Sequence, residues 1–533
     1  MKLIGWQSIQ SAFLAAVCSV TSTLISFEVN AASMASAQPP TVYPHRSGAL
    51  TPTELEMAKI AWRYFQNNYQ PETGLVNAVD GYPSTTMWDT ASYLAALVTA
   101  HRFDFIDKQV FDSRLTKLIG TLNTMQLFRN ELPNKVYHTK TAERVNYSNK
   151  PGEIGFSALD LGRLLIWLHI IKQLYPEHAN AIDSVVLRWD FSRVVDKCGT
   201  LYGAMLSADK KTLYVQEGRL GYEEYAAKGF QLWRIPTCLA ARPEPFATMP
   251  MYCVNVPYDP RDPRELSQHN YVVSESYVLD GIELGWDVVG DMTSSDSVHT
   301  DKIMENFAHR VYQVQQNRYQ EAGIITARSE HQLDKAPYFV YDTVYSDGYA
   351  WNTITDSGKY VPEFAAVSLK AALGMWALWD SPYTDLLANH IWHQYVPEKG
   401  YYEGIYENGK GPIKTFTANN NGIMLESLLF KRSGKILTLD NNKEPINSLW
   451  EKTIADSFNG DNRLKNRPVF CADNNAASFP LAAKKSWFGF WPSSNTITSR
   501  EVVPPSKECS VQKTCNVCQE NAPVTLPAWS SCH

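Results

Sequence analysis

The feature that most constrains the fold is a repeated alternation between two kinds of helical segment. One kind is amphipathic, as in residues 51–69 (TPTELEMAKIAWRYFQNNY), and the next is apolar on nearly every side, as in residues 86–103 (TMWDTASYLAALVTAHRF). An amphipathic helix exposes one face to water, whereas a helix that is apolar all round must be surrounded by other elements. The alternation therefore predicts outer helices packed around inner ones.

The alternation recurs to give five pairs, and a further apolar segment, residues 271–286 (YVVSESYVLDGIELGW), has no visible outer partner in the loop-like stretch 236–265. Such pairs predict an all-α, (α/α)6-type toroid over residues 52–433, a double ring of helices with long rim loops. An open solenoid is the alternative, but repeat lengths of roughly 45 to 80 residues are too uneven for a regular one.

The two ends of the chain differ from the helical part in composition. Lys2 precedes the apolar residues 12–27 and then the small residues VNAAS, a pattern that predicts a secretory signal peptide over residues 1–32. Residues 33–51 are rich in Pro, Ser and Ala and are expected to be a flexible lead-in. We therefore expect a periplasmic or secreted protein that keeps no stable membrane anchor after cleavage.

Cysteines also point to export. Eight of the nine remain after signal cleavage, and an even number in an exported chain favours disulfides. Cys238 and Cys253 flank a Pro-rich loop and are a plausible pair. Residues 434–533 are expected to be an irregular, disulfide-pinned tail. A zinc site made by Cys509, Cys515, Cys518 and Cys532 is the alternative, although the tail has a single CxxC.

Several functional classes lack their sequence signals. The net charge of −6 and the pI of about 6.1 give no footprint for a nucleic-acid backbone. The chain contains no GxSxG elbow, Walker loop, dinucleotide fingerprint or HExxH motif. His390 and His393 are more typical of a helix surface than of a metal site. We therefore predict neither a cofactor nor a metal.

Parallel inner helices would bring their first turns to one rim, and acidic residues recur at those starts. Capping alone explains an acid in a first turn, and Asp160 and Arg163, one turn apart, could pair with each other. Capping does not explain the neighbouring rings, as in residues 216–233 (QEGRLGYEEYAAKGFQLW). Sugars stack on aromatic faces, and glycosidic bonds are cleaved by two carboxyl groups.

These patterns predict a carbohydrate site at the rim. Glu224 or Glu223 is the predicted proton donor, because neighbouring rings would desolvate it. Asp89 is the predicted base, and Glu153 and Glu275 are the reserves. The predicted substrate-binding residues are Trp88, Tyr93, Arg219, Tyr222, Tyr225, Trp233, Tyr277, Tyr349, Trp351, Tyr402 and Asn420.

Four stretches resemble a bacterial family of exported domains of unknown function: TGLVNAVDGYPSTTMWDTASYLAAL, LPNKVYHT, KPGEIGFSALDLGRLL and QEGRLGYEEYAAKGF. The resemblance covers about residues 55–430 in consistent order. That family is distantly similar to (α/α)-barrel glycoside hydrolases such as endo-β-1,2-glucanases and glucoamylase-like proteins. The resemblance implies a barrel of about six helical pairs with a cleft at the inner-helix rim and a pair of catalytic carboxyls.

The resulting hypothesis is an exported glycoside hydrolase that acts on a bacterial glucan or exopolysaccharide, so that the expected partner is an oligo- or polysaccharide. A non-catalytic glycan-binding or polysaccharide-assembly factor on the same barrel is the alternative. A polysaccharide lyase is a third possibility, but it would need basic residues in its cleft to meet an acidic substrate, and the predicted rim is mostly acidic.

Overall fold

A computed structural model describes residues 43–196, 198–217, 220–243, 246–261, 269–292, 299–439 and 446–457. The predicted signal peptide, the first part of the lead-in and the cysteines of the tail lie outside these ranges. Within them, no helix combines the length and the apolar character that crossing a membrane requires.

Six inner helices form a closed ring. In the described part of the chain the helices are α1 Pro52–Asn68, α2 Met87–Arg102, α3 Lys108–Thr124, α4 Ala158–Leu174, α5 Ala179–Leu187, α6 Tyr222–Leu232, α7 Ser274–Leu279, α8 Lys302–Ala322, α9 Leu369–Leu378, α10 Pro382–Ile391, α11 Ala418–Ser433 and α12 Leu449–Ser457. Helices α2, α4, α6, α7, α9 and α11 each pack on the next, and α11 packs back on α2. The predicted double-ringed barrel is confirmed, and the open solenoid is wrong.

Outer helices precede five of the inner ones in the chain. These are α1, α3, α5, α8 and α10, which come before α2, α4, α6, α9 and α11. Before α7, the described residues of 236–261 form a hairpin instead, made of β8 Ala247–Met251 and β9 Val254–Tyr258. Strand β9 packs on α8. Among the described residues, a hairpin therefore stands at the place in the chain where the sequence showed no outer helix.

Short strands line the rim where inner helices begin. They are β1 Ser84–Thr85, β2 Leu127–Phe128, β3 Leu132–Pro133, β4 Tyr137–His138, β5 Gly155–Phe156, β6 Tyr202–Leu206, β7 Thr212–Gln216, β10 His331–Gln332, β11 Phe339–Asp342, β12 Tyr345–Ser346, β13 Tyr349–Ala350, β14 Thr353–Ile354, β15 Ala366–Ser368, β16 Tyr395–Val396, β17 Gly400–Tyr401, β18 Gly404–Tyr406 and β19 Pro412–Ile413. All their pairings are antiparallel, including the three-stranded sheets β5-β6-β7, β10-β11-β14 and β15-β18-β19. Strand β5 ends just before α4, and β15 runs directly into α9.

Glycines let two inner helices approach closely. A Cβ on Gly229 of α6 would lie 2.1 Å from the carbonyl oxygen of Gly162 on α4, and a Cβ on Gly162 would lie 2.6 Å from Ala226. No side chain fits at such distances, so both positions require glycine. The close approach brings the first turns of α4 and α6 together at the rim.

The chain segments on either side of the barrel contain structured parts that the sequence analysis did not predict. Arg46, in the predicted flexible lead-in, forms ion pairs of 2.7 Å with Asp380 and Asp385. In the tail, which we expected to be irregular from residue 434, helix α12 packs on α5 and places the ring of Trp450 5.2 Å from that of Trp233. Buried aromatic surface stabilises α12 in a segment that has no strong helical pattern of its own.

Cys198, Cys238 and Cys253, the cysteines within the described residues, are disulfide-bonded. The backbones of Cys198 and Cys238 run side by side, because the amide of Leu239 donates to the carbonyl of Cys198 at 3.3 Å. The pairing of Cys238 with Cys253 stays a prediction, and the alternative zinc ligands of the tail lie outside the described residues.

Candidate active site

The first turns of four inner helices meet around Trp88, at the start of α2. The indole Nε1 donates to Oε1 of Glu275 on α7 and to Oδ1 of Asn419 on α11, both at 3.1 Å. Its ring centroid lies 5.6 Å from that of Tyr222 and 6.1 Å from that of Tyr225, both on α6. The inner helices therefore begin at a shared rim, with Trp88 near its centre.

A buried guanidinium forms the floor beneath this tryptophan. Arg163 of α4 lies 4.8 Å from the ring of Trp88, donates to Glu426 at 2.8 Å and has Glu283 at 3.7 Å. A buried charge requires such partners. Burial raises the pKa of both Glu283 and Glu426. Arg163 thus pairs with Glu426 of α11 and with Glu283, which lies four residues after the end of α7. The alternative pairing of Arg163 with Asp160 is not among its ion pairs in the described residues.

A second cation fixes Glu275. The ammonium group of Lys370, on α9, forms an ion pair with its carboxylate. Burial alone would raise the pKa of Glu275, but the charge of Lys370 and the hydrogen bonds from Lys370 and Asn419 outweigh it and lower that pKa. Glu275 is fully buried. Its charge is therefore tied up in holding Lys370, Asn419 and Trp88 at the rim.

Asp89 and Asp160 occupy equivalent positions on neighbouring inner helices. Each lies three residues after an N-cap, Thr86 or Ser157, whose hydroxyl accepts from its amide at 3.1 or 3.2 Å and donates to its carboxylate at 2.8 or 3.1 Å. Thr86 and Ser157 are therefore the N-caps of α2 and α4, and each also binds the carboxylate three residues on. Both carboxyls are half-buried, so water reaches them at the rim.

The pKa of Asp160 is raised, so that its carboxyl stays protonated at a higher pH than an ordinary aspartate. Burial and the nearby charge of Glu217 raise its pKa to about 7, and Asp89 adds to the effect. Burial also raises the pKa of Asp89, but Thr86, Arg163 and Lys370 oppose that rise. Environments that push the pKa values of two neighbouring carboxyls apart are typical of acid/base catalysts.

Glu330 forms another wall with two rings. Its half-buried carboxyl accepts from the phenol of Tyr222 at 2.9 Å, and burial together with the charge of Glu275 raises its pKa to about 7. Burial, followed by the charge of Glu330, raises the pKa of Tyr341. The ring of Tyr271 stacks on that of Tyr341 at 4.8 Å.

Direct contacts connect several of these residues along the rim. Ring centroids lie 5.6 Å apart for Trp88 and Tyr222, 5.8 Å for Tyr222 and Tyr271, and 4.8 Å for Tyr271 and Tyr341. Asp89 and Asp160 lie in the first turns of α2 and α4, which pack side by side. Water reaches the rim at five half-buried residues, which we call the opening: Trp88, Asp89, Asp160, Glu330 and Tyr341. They combine ionisable carboxyls with aromatic rings, the groups that sugar hydroxyls and sugar faces require.

The predicted proton donors, Glu224 and Glu223, are buried and make structural contacts. Glu224 accepts from the amide of Gly221 at 2.6 Å and so caps its own helix. Burial, followed by the charge of Glu223, raises its pKa well above the usual value. Glu223 lies 3.2 Å from Arg261, which also pairs with Asp259. Both glutamates are buried, and their catalytic role stays a prediction that their contacts do not favour.

Other predicted residues have partners of a structural kind. Glu153 forms ion pairs with Arg144 and Arg129. Tyr93 is buried against Phe65, with ring centroids 5.9 Å apart. Trp233 lies at the opposite end of α6 and donates to the carbonyl of Leu165 at 2.9 Å. The expected gathering of Glu153 with the rim acids stays a prediction.

The remaining predicted binding residues support the rim from below or beside it. Tyr225 donates to Glu283, and Tyr277 is buried near Glu224. Asn420 is buried and donates to the carbonyl of the half-buried Tyr402 at 2.8 Å. Trp351 packs under the guanidinium of Arg318 at 4.3 Å, and Tyr349 is half-buried on β13, whereas Arg219 lies outside the described residues.

Sequence reasoning missed Glu330, Tyr341 and Lys370 as members of the site. Glu330 precedes β10 in a loop, where no periodicity marks it. Asp160 was recognised at a helix start but was not chosen, because capping was the simpler explanation. The signal that could have found it is its equivalence to Asp89, since each follows a Thr or Ser N-cap by three residues.

One group of described side chains has metal-ligand spacing, and it lies outside the rim. Asp112, Glu177 and His178 offer ligand atoms close to one another. The ammonium group of Lys108 lies 2.5 Å from Asp112 and 2.7 Å from Glu177. This lysine already supplies the positive charge that a cation would bring.

Comparison with known proteins agrees with this architecture. The model of a family described as "Protein of unknown function (DUF3131)" matches residues 56–434. Comparison with curated proteins gives no match. The resemblance inferred from the four sequence stretches is confirmed.

Solved structures show the same fold. An endo-β-1,2-glucanase from Chitinophaga pinensis, in complex with sophorotriose and glucose, is similar at 13% identity and a TM-score of 0.51 over 73% of this chain and 94% of that one. A glucoamylase-like protein from Bacteroides fragilis is similar at 12% identity and a TM-score of 0.53 over 74% of this chain and 94% of that one. A glucoamylase-like protein from Bacteroides caccae is similar at 11% identity and a TM-score of 0.51 over 72% of this chain and 94% of that one. The chain therefore has a glycoside-hydrolase-like (α/α)6 fold.

Proposed function

Because the chain belongs to the DUF3131 family of proteins of unknown function, we propose its activity from its own residues: it is a glycoside hydrolase that cleaves a glucan or exopolysaccharide at the inner-helix rim. The observation that carries the proposal is Asp160, a half-buried carboxyl whose pKa is raised to about 7 beside Asp89. A group that still holds its proton near neutral pH, yet is open to water, suits a general acid.

We assign Asp160 as the proton donor to the glycosidic oxygen and Asp89 as the base that activates water. The positive charges of Arg163 and Lys370 favour the ionised form of Asp89. Burial and the charge of Glu217 favour the neutral form of Asp160. One carboxyl can therefore give a proton while the other accepts one.

The stereochemical outcome of the reaction depends on the separation of this pair. Asp89 and Asp160 occupy equivalent first-turn positions on α2 and α4, which pack side by side. Carboxyls about 6.5–9.5 Å apart leave room for the water that inverting hydrolases use, whereas carboxyls about 5–5.5 Å apart are typical of retaining ones.

Glu330 faces the substrate from another wall in this proposal. Its raised pKa of about 7 allows it to donate or accept a hydrogen bond with a sugar hydroxyl. A glucan is the preferred substrate class, because the fold is shared with an endo-β-1,2-glucanase that binds sophorotriose, and the accessible rim carboxyls offer hydroxyl partners without demanding a charged sugar.

The test is hydrolysis by the purified mature protein. Wild type is incubated with linear β-1,2-glucan, β-1,3-glucan, β-1,4-glucan and bacterial exopolysaccharides, and new reducing ends are measured. Asp160→Asn and Asp89→Asn should each lower kcat by about 10²–10⁴-fold on a cleaved substrate. Glu153→Gln is the matched control, because it removes a half-buried glutamate whose carboxylate already pairs with Arg144 and Arg129.

Two results would contradict the proposal. Full turnover in both aspartate variants would exclude them as the acid/base pair. Glycan binding without any new reducing ends would instead identify a non-catalytic glycan-binding or polysaccharide-assembly factor on the same barrel.

We also propose that the protein is exported through the signal peptide over residues 1–32. The Lys2-led apolar stretch supports this. N-terminal sequencing of the protein recovered from the periplasm or medium should begin near residue 32 or 33. A mature protein that retains Met1 in the cytoplasm would contradict export.

A further inference from the structure

Tyr147 is an exposed ring on a well-braced loop. Its exposed fraction of 69% is the largest recorded for the big hydrophobic side chains within the described residues. The loop closes through the bridge between Val145 and Pro151, and its turn is held by the carboxamide of Asn146, which accepts from the amides of residues 148 and 150 at 3.0 Å. These bonds hold the Tyr147 ring in a defined position at the surface.

A second exposed tyrosine braces the same loop. The phenol of Tyr82 donates to the carbonyl of Tyr147 at 3.0 Å, although the two residues are 65 positions apart. Tyr82 follows α1 in the loop that leads to α2, and it is itself exposed. The loops before α2 and α4 are therefore joined at this point, above the helices that carry Asp89 and Asp160.

The Tyr147 loop lies beside the segment that carries Lys135, because the amide of Val145 donates to the carbonyl of Val136 at 3.1 Å. Glu217 in turn accepts from the amide of Ala158, two residues before Asp160 in the first turn of α4. The ammonium group of Lys135 lies 3.5 Å from the carboxylate of Glu217. An exposed aromatic face is thus combined with donors and acceptors of both charges at the edge of the opening.

We propose that Tyr147 is a sugar-stacking platform that holds an uncharged pyranose ring next to Asp160. The apolar C–H face of the sugar would lie on the phenol ring, while Lys135 and Glu217 would bind its hydroxyls. The inference rests on the proposed function, because it assigns the sugar unit beside the same acid.

An uncharged sugar fits this position better than a charged one. A uronate carboxylate would meet Lys135 but would be repelled by Glu217 and by Asp89, whereas hydroxyls hydrogen-bond to groups of either sign. The platform therefore selects for neutral glucan-type units over acidic ones.

The test separates binding from turnover. Tyr147→Ala, Tyr147→Phe and wild type are compared, with Tyr338→Ala as the matched control, because Tyr338 is 63% exposed at the turn between β10 and β11. Binding of β-1,2-, β-1,3- and β-1,4-gluco-oligosaccharides of five to six units, and of oligogalacturonate, is measured by calorimetry with the Asp160→Asn protein as background. Turnover is measured as reducing ends with Asp160 intact.

We expect Tyr147→Ala to weaken binding of the best neutral oligosaccharide by about tenfold and to raise KM similarly, with kcat changed less. Tyr147→Phe should keep the affinity within about twofold, because it keeps the stacking face. Tyr338→Ala should bind as the background does.

Each other outcome is decisive. Unchanged binding and KM in Tyr147→Ala would overturn the platform while turnover by wild type leaves the proposed function standing. Loss of binding in Tyr147→Ala without turnover by wild type would support the platform and overturn the hydrolase. Preferential binding of oligogalacturonate, or binding of no glycan by the background protein, would overturn the platform.

Discussion

Replacing Asp160 by Asn should lower kcat by about 10²–10⁴-fold and should stabilise the fold relative to wild type increasingly from pH 5 to pH 8. The amide keeps the size of the side chain, and its oxygen can still accept from the hydroxyl of Ser157, which lies 3.1 Å from the carboxylate. The hydroxyl of Ser157 can still accept from the amide of residue 160. The substitution therefore removes an ionisable proton and leaves the N-cap of α4 in place.

The magnitude follows from the raised pKa. The pKa of Asp160 rises from 3.8 to about 7 in the folded protein, and each pKa unit corresponds to about 1.4 kcal/mol. The full shift therefore amounts to about 4 kcal/mol, which contact with water reduces because the side chain is only half-buried.

The sign is set by which state binds the proton. Between pH 4 and pH 7 the folded protein keeps the proton that the unfolded chain has lost, so the free energy of unfolding of wild type falls as pH rises. Asparagine does not ionise, so it adds no pH dependence to the free energy of unfolding. Relative to wild type, Asp160→Asn should gain about 2–3 kcal/mol in free energy of unfolding between pH 5 and pH 8.

The assay is urea denaturation of both proteins at pH 5, 6, 7 and 8, with reducing-end formation measured on the same preparations. Taking the difference at each pH cancels the contributions of other raised carboxyls such as Glu403 and Glu330, whose pKa values are also about 7. A difference that stays constant with pH would refute the raised pKa, and unchanged kcat would refute the role of Asp160 as the acid.

Three further predictions follow from the contacts of the rim and of the tail. Glu217→Gln removes a charge that raises the pKa of Asp160, so activity should be lost at lower pH on the alkaline side of the pH–rate profile; an unmoved alkaline limb would contradict this. Lys370→Met leaves the buried carboxylate of Glu275 without its cation and should lower the free energy of unfolding by about 3–5 kcal/mol in urea titrations, whereas a loss below about 1 kcal/mol would show that the ion pair is dispensable. Trp450→Ala should destabilise by about 3–5 kcal/mol with KM unchanged, because its ring packs on Trp233 at the end of α6 away from the rim; a raised KM with normal stability would contradict that placement.

The ring of helices could be predicted from the sequence because buried helices have an apolar composition on nearly every side. Residues 86–103 are apolar on all sides, and a helix of that kind has few places in a soluble fold other than an inner ring. The predicted apolar segment 86–103 matches α2, whose N-cap is Thr86 and whose last residue is Arg102. Fold class and helix order therefore follow from local patterns.

The choice among carboxyls did not follow from such patterns, since it depends on which of them water reaches. Glu224 has aromatic neighbours in the sequence, yet it binds the amide of its own Gly221, whereas Asp160 remains open. Glu330 enters the site through a hydrogen bond from Tyr222, 108 positions away. Long-range neighbours of this kind leave no spacing to detect.

Helix α12 shows the same limit in the tail. Its stability comes from contact with α5 and from Trp450 against Trp233, and tertiary packing often outweighs local propensity in this way. The polar composition of residues 434–457 gave little indication of it.

Closure of the ring has a consequence for how the chain reaches its native state. The last barrel helix, α11, packs on α1 and α2, and Lys431 pairs with Glu54 across 377 positions of sequence at 2.6 Å. Until α11 has been synthesised, the apolar side of α2 that packs on it stays exposed. The contact between α11 and helices α1 and α2, which closes the ring, can therefore form only after the last barrel helix is available. Truncation before residue 433 should thus yield an aggregating product rather than a shorter barrel, whereas a circular permutant that joins the neighbouring ends of α1 and α11 should keep the toroid whole.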